Sequence, residues 1–562
     1  GTTKFPLGKD FLSPKSFKIY GPPGTGKTTT LIKEVEKAVR RGVQPESIAF
    51  FSFSNEAANV AKQRVSDEFD ELGSGAFPYF STIHSFATKL GGTHGKKLCQ
   101  AEDMAKFDSG VQCSTEWTTP GDPSSIVFRY THPILDVYSL AVARQVEVQF
   151  EQPAKQRDRL SSRKALSEYF KIKLPSTYEQ IEAFWATNYK NLCQQYLQAF
   201  LLFKENQKII TFDDVINNIT SYNFPDGNIP TFDLLIIDEA QDLSIHLWKL
   251  ALRLIKNADV SLIAGDDDQA IMSGIGASPE TFVSLKTSEP DNVLEQSWRI
   301  PQTVFDYVNV SVMPFLQDMP GRAEKPWLAR SHKGETISAI KQKASGQEDV
   351  SVVYADLCLM DLINEVRLEF LNFRGDSSAA RELSNAMNIQ ATSVDQKKCN
   401  EPPDWLIMSP TRASARAVSE ALEEYGIPHF FRNKPVLDAV PNSCSIRVQT
   451  IHISKGAEAE NTAIFVNSFG DVAMLADDPR LAYVAQTRAK ERMFPRVIKS
   501  GLIGDMTGAS ANFSRAAYKF NKMFPKTLNT SPPDKLQMTS DGFFRDMNIP
   551  FEGLTDDEKD AW

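Results

Sequence analysis

The chain has 562 residues, 41% hydrophobic and 24% charged, with a formal net charge of −9. That length exceeds what one hydrophobic core organises and predicts several domains, while the acidic total means that any nucleic-acid contact has to come from a local basic groove. The six cysteines (Cys99, Cys113, Cys193, Cys358, Cys399 and Cys444) lie far apart without zinc spacing, no apolar run is long enough to span a bilayer, and the N-terminus lacks the order of a secretory signal, so a soluble, cytoplasmic protein with reduced thiols and no membrane partner is expected.

Ser16 to Tyr20 reads as a strand that enters Gly21-Pro22-Pro23-Gly24-Thr25-Gly26-Lys27-Thr28. In the pattern G-x-x-x-x-G-K-T the glycines let backbone N–H groups converge on one anion, and the helix that follows presents its positive end. Lys27 is expected to reach the outer phosphates of a nucleotide and Thr28 to ligate Mg²⁺. From Thr29 to Arg40, Leu31, Ile32, Val35, Ala38 and Val39 recur at helical spacing. Residues 48 to 55 predict a buried strand ending in polar residues, followed by a helix carrying Ala57, Ala58 and Val60, and Pro78 to Ser85 a second strand or turn.

From about 91 to 207 strand periodicity fades and helical patterns appear near 135–150 and 178–204, which predicts a mainly helical insertion. Its basic residues, among them Lys96, Lys97, Arg144, Arg157, Arg159, Arg163 and Lys164, suit either solvated helix faces or a nucleic-acid surface. Leu234 to Ile237 then reads as a strand buried on both faces, ending in Asp238-Glu239-Ala240-Gln241-Asp242. At such a strand end Asp238 is placed to hold Mg²⁺ and Glu239 to orient and deprotonate a water. A third strand, Val260 to Ala264, delivers Gly265-Asp266-Asp267-Asp268-Gln269, with Gln269 set to touch a terminal phosphate or its water.

Val293 to Arg299 is a short apolar run followed by Trp298 and a cation. Residues 330–404 read as an irregular excursion holding one strand (Val350 to Tyr354), one helix (Leu359 to Phe373) and a long polar loop to Pro403. Trp405 to Ser409 predicts a strand that leads through Thr411-Arg412 into a helix ending at Gly426. Arg447 to Thr450 run on as Ile451-His452-Ile453-Ser454-Lys455-Gly456-Ala457-Glu458, and Arg480 to Lys490 reads as a helix that brings Arg488 to one end.

Two parallel-sheet units emerge in an α/β chain. The first covers 1–90 and 208–292, the second 293–500, with the insertion at 91–207 and a short C-terminal extension at 501–562. Only the first unit has a phosphate loop, so ATP is expected between the two, with Arg299 and Arg488 reaching its γ-phosphate from the second. Ser514 to Phe524 predicts a short helix, and the acidic, aromatic end to Trp562 a solvated or loosely docked tail that could bind a protein partner. Gly1 stands where an initiator methionine would, which leaves room for residues upstream.

In this order the segments resemble superfamily 1 helicases of the UvrD/Rep type over most of residues 15–500. GPPGTGKT is similar to motif I, Ser52-Phe53-Ser54-Asn55 to Ia, Thr82-Ile83-His84-Ser85 to Ib, and DEAQD to II. GDDDQAI is similar to motif III, LEQSWR to IV, QTIHISKGAE to V and RLAYVAQTRAK to VI. The resemblance implies two tandem recA-like motor domains that use Mg²⁺ and ATP to move 3′ to 5′ on single-stranded DNA and to open single-strand/duplex junctions. It places Trp298 on adenine and Glu458 on ribose, and Phe53, Asn55, Thr82, His84, Arg412, Thr450 and His452 on DNA. A translocase that strips bound proteins with little unwinding, and an ATP-switched interaction protein, are the alternatives.

Three departures from the family stand out. Residues 1–20 hold no adenine-reading glutamine and Thr29 replaces a common arginine, so looser base selectivity is expected. Met272-Ser273-Gly274-Ile275-Gly276 stand where the family often has Tyr-Gly-Trp-Arg-Gly, with its base-stacking tryptophan. Too few residues separate Gly426 from Gln449 for the family's second insert, which in relatives restrains the monomer, so a monomer active without that switch is expected.

Overall fold

Ile48–Ser52 (Ile-Ala-Phe-Phe-Ser) is buried at every position, because a strand covered on both faces has no solvent side on which to keep polar residues. The computed structural model describes residues 14–53, 55–69, 75–100, 199–221, 224–330, 357–386, 402–437, 445–502 and 511–526, with a few positions between 102 and 143. The chain divides into Gly1–Lys526 and Thr527–Trp562, and the second unit lies outside the described residues.

The first sheet has six parallel strands: β1 (Lys15–Tyr20), β2 (Ile48–Ser52), β3 (Tyr79–Thr82), β6 (Phe232–Ile237), β7 (Ala258–Gly265) and β8 (Asn292–Val293), in the order β3-β2-β6-β7-β1-β8. Successive side chains alternate between faces. Phe50 and Ile236 join Leu31, Val35, Phe77 and Leu262 on one side, while Phe51, Leu235 and Ile237 join Phe86, Phe232, Trp248 and Ile263 on the other. Because every strand runs the same way, Gly21, Phe53, Thr82, Asp238 and Asp266 all emerge at one edge, the edge where open α/β sheets bind ligands.

Two short strands, β4 (Lys97–Leu98) and β5 (Ile209–Ile210), pair in parallel and bring the two ends of the insertion together. Most of that insertion, including Arg144, Arg157, Arg159, Arg163 and Lys164, lies outside the described residues, as does the strand expected at 350–354. Lys97 pairs with Asp103 at 3.3 Å, so its charge is answered within the protein.

A second six-stranded sheet comprises β9 (Asp404–Ser409), β10 (His429–Phe431), β11 (Lys434–Val436), β12 (Ser445–Thr450), β13 (Ala459–Val466) and β14 (Ala489–Ile498), ordered β11-β10-β12-β9-β13-β14. The expectation of a purely parallel unit is corrected at one edge, where β10 and β11 form an antiparallel hairpin. Arg432 and Asn433 turn it with φ of 51° and 63°, the left-handed backbone that a two-residue hairpin loop needs. Among the described residues this hairpin is all that stands between Gly426 and β12.

Two further expectations change. The stretch after Phe373 is no continuous loop, since Ser377–Ala386 is a helix that follows Leu359–Phe373. Arg488 lies two residues beyond the helix Pro479–Gln486, at the mouth of β14. The short helix expected at Ser514 to Phe524 is present as Ala511–Met523 and is docked: Ala517, Phe520, Met523 and Phe524 are fully buried, and Gln486 Nε2 donates to the Met523 carbonyl at 2.7 Å. An apolar stripe of that size needs a partner surface, which a solvated tail would lack.

Candidate active site

At the end of β1 the chain turns back on itself. The N–H of Gly21 donates to the Gly265 carbonyl at 3.0 Å, and Thr25 Oγ1 donates to the Pro22 carbonyl at 2.8 Å. Gly24 and Gly26 take φ of 72° and 76°, which L side chains rarely adopt. A Cβ on Gly24 would stand 2.4 Å from that of Arg299, so the loop and the arginine need a glycine between them. The helix Lys27–Arg40 starts from Gly26 with no side chain among the described residues capping it, so its first N–H groups face the turn and suit an anion.

Opposite the loop stands the acidic end of β6. Lys27 Nζ donates to Asp238 Oδ1 at 2.6 Å and to Glu239 Oε1, while Thr28 Oγ1 donates to Asp238 Oδ2 at 2.9 Å. Burial opposes the charge on both sides of this cluster, yet the pairing outweighs it. Lys27 is held above its ordinary range by Asp238 and then Glu239, and Glu239 well below the carboxylate range by Lys27 and then Lys455. Glu239 is therefore an ionised carboxylate. Its backbone is left-handed (φ 56°) and is fixed by its own N–H donating to Asp238 Oδ1 at 2.9 Å, while Gln241 Nε2 donates to its Oε2 at 2.6 Å. The Thr28 hydroxyl beside the Asp238 carboxylate is a hard oxygen pair of the kind Mg²⁺ accepts. The donor set fits Mg²⁺ and a nucleoside triphosphate.

Residues of the second sheet meet this cluster. Gln269 Nε2 donates to Asp266 Oδ2 at 2.7 Å, and its Oε1 accepts from Arg488 Nη2 at 2.9 Å. Arg488 is 1% exposed, and burial, then the charge of Arg299, pull it below the ordinary guanidinium range, so an arriving anion is favoured beside it. Arg299 Nε donates to Glu458 Oε2 at 2.6 Å, and Lys490 Nζ lies 3.0 Å from the other oxygen of that carboxylate. The backbone N–H of Trp298 donates to the Gly24 carbonyl at 2.8 Å while the residue stays 68% exposed, so an open indole face adjoins the phosphate loop. Residues 11–290 match the sequence profile of the UvrD/REP helicase N-terminal domain.

The chain carries a UvrD/REP helicase N-terminal domain. It is also similar to a protein of Mycoplasma pneumoniae named "Probable DNA helicase", with 22% identity over 277 residues, covering 48% of this chain and 47% of that protein. The chain thus spans about half the length of the curated relative it matches.

The side chains expected to touch DNA sit at the same edge of the UvrD/REP domain and on its neighbour sheet, in unlike settings. Phe53 is buried against Met272, Ile275 and Ala277. Thr82 is largely buried and caps the helix Ile83–Ala87, its Oγ1 accepting from the Ser85 N–H at 3.1 Å. His84 packs edge-on against Phe212 with ring centroids 5.6 Å apart, and burial pushes its pKa down to about 4, so it is neutral. Asn55 opens the helix Asn55–Glu68, and its side chain lies outside the described residues. Arg412 begins the helix Arg412–Glu424, Thr450 ends β12, and His452 follows in the same turn. Thr29 is exposed and accepts a 3.3 Å hydrogen bond from Arg64 Nη1, so a guanidinium from another helix stands where the family often has an arginine in the motif itself.

Sequence reasoning left two participants unassigned. Gln241 links β6 to β7, its Oε1 accepting from the Asp266 N–H at 3.0 Å. Lys455, from the turn after β12, pairs with Asp242 and lies 3.6 Å from Glu239 Oε2. Burial and the Glu239 charge push Asp242 up to about 6 despite that lysine. Both stand inside segments read as motifs, but the contacts that give them a role, Gln241 to Asp266 and Lys455 to Asp242, are made to elements far along the chain.

Among the described residues no helix is long and apolar enough to cross a membrane.

Proposed function

We propose that this chain is an ATP-driven DNA helicase in which two tandem recA-like domains, the first interrupted by a helical insertion and the second followed by a short extension, close on Mg-ATP and part after hydrolysis. The motor moves 3′ to 5′ along single-stranded DNA and opens junctions as a monomer. The phosphate loop and Lys27 hold the β- and γ-phosphates, for which the ammonium exchanges part of its contact with Asp238 and Glu239. Mg²⁺ held by Thr28 and Asp238 would supply neutralisation of phosphate charge. Glu239 orients the attacking water and takes its proton, Gln269 positions the terminal phosphate, and Arg488 with Arg299 stabilises the charge that develops. Trp298 offers its open face to the base and Glu458 its carboxylate to the ribose.

The observation that carries the reading is the Gln269–Arg488 hydrogen bond, a contact from the first sheet to the second beside the Lys27–Glu239 pair. A group that joins the two sheets at the reacting phosphate links hydrolysis to relative movement. Such movement is useful to a polynucleotide lying across both sheets, where Thr82, His84, Thr450, His452 and Arg412 stand at strand ends and helix starts.

Hydrolysis measured with single-stranded DNA, single-stranded RNA, duplex and no polymer tests it directly. The expected result is the largest stimulation by single-stranded DNA, together with opening of 3′-tailed but not 5′-tailed duplexes and yield linear in protein concentration. Streptavidin displacement without strand separation would favour the stripping translocase, and hydrolysis indifferent to every polymer would favour the switch.

A further inference from the structure

Three consecutive carboxylates, Asp266, Asp267 and Asp268, follow β7, and all three are buried. Buried like charges at that density persist only when cations answer them. Lys325, its side chain 1% exposed, places Nζ 2.5 Å from Asp267 Oδ1, 3.1 Å from Asp268 Oδ2 and 3.5 Å from Asp266 Oδ1. Arg322 adds a bidentate pair to Asp268, with Nε and Nη2 each 2.8 Å from a carboxylate oxygen, and the Ala323 N–H donates to Asp267 Oδ2 at 3.1 Å. Two cations thus stand against three carboxylates, one positive charge short of balance.

Asp266 is also the residue that accepts from Gln269, so the lysine is one carboxylate away from the group that meets Arg488. Downstream, the same stretch runs alongside residues 295–300. The Leu328 N–H donates to the Glu295 carbonyl at 2.7 Å, the Ser297 N–H to the Leu328 carbonyl at 2.9 Å, and the Arg330 N–H to the Ile300 carbonyl at 2.7 Å. Those bonds flank Trp298 and Arg299, and Ser297 Oγ donates to the Pro23 carbonyl of the phosphate loop at 2.8 Å.

We infer that residues 322–330 form a brace that fixes Gln269 and Arg299 relative to one another, with Lys325 as the positioning residue at its centre. The brace acts through those two side chains and rests on the motor reading given above. Misplacing a group that contacts the reacting phosphate by about 1 Å is enough to slow the chemistry by roughly 10²-fold. Ground-state nucleotide binding depends mainly on the phosphate loop and Trp298, which the brace touches only through backbone.

Lys325→Met tests this with kcat for ATP, with and without single-stranded DNA, beside the affinity for mant-ATP. The expected result is a fall in kcat of roughly 10²-fold with affinity within about threefold of wild type, an interaction lost in the transition state alone. Adding Asp267→Asn returns the cluster to its original net charge and should recover about tenfold of that loss. A folded Lys325→Met protein with wild-type kcat overturns the inference, and so does an equal loss of kcat and mant-ATP affinity, which would mark a merely structural post. Where Lys325→Met does not fold, Arg322→Gln decides, with a fall of about tenfold expected and wild-type kcat overturning. A wild-type protein whose hydrolysis ignores polynucleotide would sink the motor reading instead, and the ratio of variant to wild-type basal hydrolysis would still judge the brace.

Discussion

Oε1 of Gln269 accepts a 2.9 Å hydrogen bond from Nη2 of fully buried Arg488, joining the end of β7 in the first sheet to the mouth of β14 in the second. In the proposed mechanism both residues act on one phosphate, so their effects should not add. Arg488→Ala is expected to lower kcat roughly 10³-fold or more, the range of arginines that stabilise phosphoryl transfer. Gln269→Ala should cost less. The double variant should fall well short of the product of the two losses, because removing either partner already releases the other. Single-turnover hydrolysis of radiolabelled ATP measures the cycle, and strict multiplicativity would show that the contact has no part in the chemistry.

Gly24 and Gly26 have nearly the same φ, yet only Gly24 is crowded, which separates strain from obstruction. Gly26→Ala places a Cβ at an ordinary contact distance of 3.8 Å from Trp298 Cδ1, so its cost is the left-handed backbone, about 1–2 kcal/mol. Gly24→Ala carries that cost and also drives a Cβ to 2.4 Å from Arg299 and 2.8 Å from Ser297 Oγ. It is expected to displace Arg299 and weaken nucleotide binding and hydrolysis together, by clearly more than Gly26→Ala. Titration with mant-ATP and kcat for both variants check the order, and equal effects would refute the role of the crowding.

Acid sensitivity should trace to two histidines that the fold keeps neutral. Burial pushes His246 down to about 3, with smaller contributions from Lys249 and His84, and among the described residues Nε2 of His246 has no hydrogen-bond partner. His84 is pushed down to about 4 by burial. A folded value below the ordinary 6.5 means that the stability contributed is complete above pH 6.5 and is lost as pH falls toward the folded values. Between pH 6.5 and 5 each histidine accounts for up to about 2 kcal/mol. His246→Leu is expected to flatten that acid loss while leaving stability near pH 7.5 little changed. Thermal unfolding at pH 5 and 7.5 compares the two proteins, and an undiminished drop in the variant would rule His246 out as a source.

Much of the first sheet was legible because its signals are local. Apolar runs such as Leu234 to Ile237 end in acids, and the spacing of Gly21, Gly24 and Gly26 before Lys27 has a single mechanical meaning. The helix Leu359–Phe373 was likewise plain from its own periodicity. What stayed hidden depends on partners far along the chain. Lys325 reads as one lysine among many until β7 puts three carboxylates around it. The helix Ser377–Ala386 was missed because it buries only Ala380 and Ser384, too little to print an apolar stripe. The β10–β11 turn was missed because Arg432 and Asn433 take left-handed backbone where the usual sequence sign is a glycine. Phe53 and Thr82 were picked out by motif position, yet one closes an apolar cluster and the other caps a helix, so position in a motif did not disclose burial.

The docked helix Ala511–Met523 yields the last prediction. Its end is gripped from three directions: Gln486 Nε2 donates to the Met523 carbonyl, Arg496 Nη1 to the Phe524 carbonyl, and Tyr307 Oη to the Pro525 carbonyl at 3.4 Å. Gln486 is also held by Ser311, whose Oγ donates to its Oε1 at 3.0 Å, and it lies two residues before Arg488. Phe520, stacked on Phe524 at 4.8 Å, is fully buried beneath Arg496. Phe520→Ala should therefore cost about 3–5 kcal/mol, the range for a phenylalanine truncated inside a packed core. At roughly 2–4 °C per kcal/mol for a domain of this size, Tm is expected to fall by about 10 °C. A chain ending at residue 510 exposes the whole socket around Gln486 and Arg496 and should unfold at lower temperature still, losing hydrolysis as the Arg488 end loosens. Thermal unfolding and ATPase assays on both proteins measure this. An unchanged Tm for Phe520→Ala would return the helix to the status of a loosely attached tail.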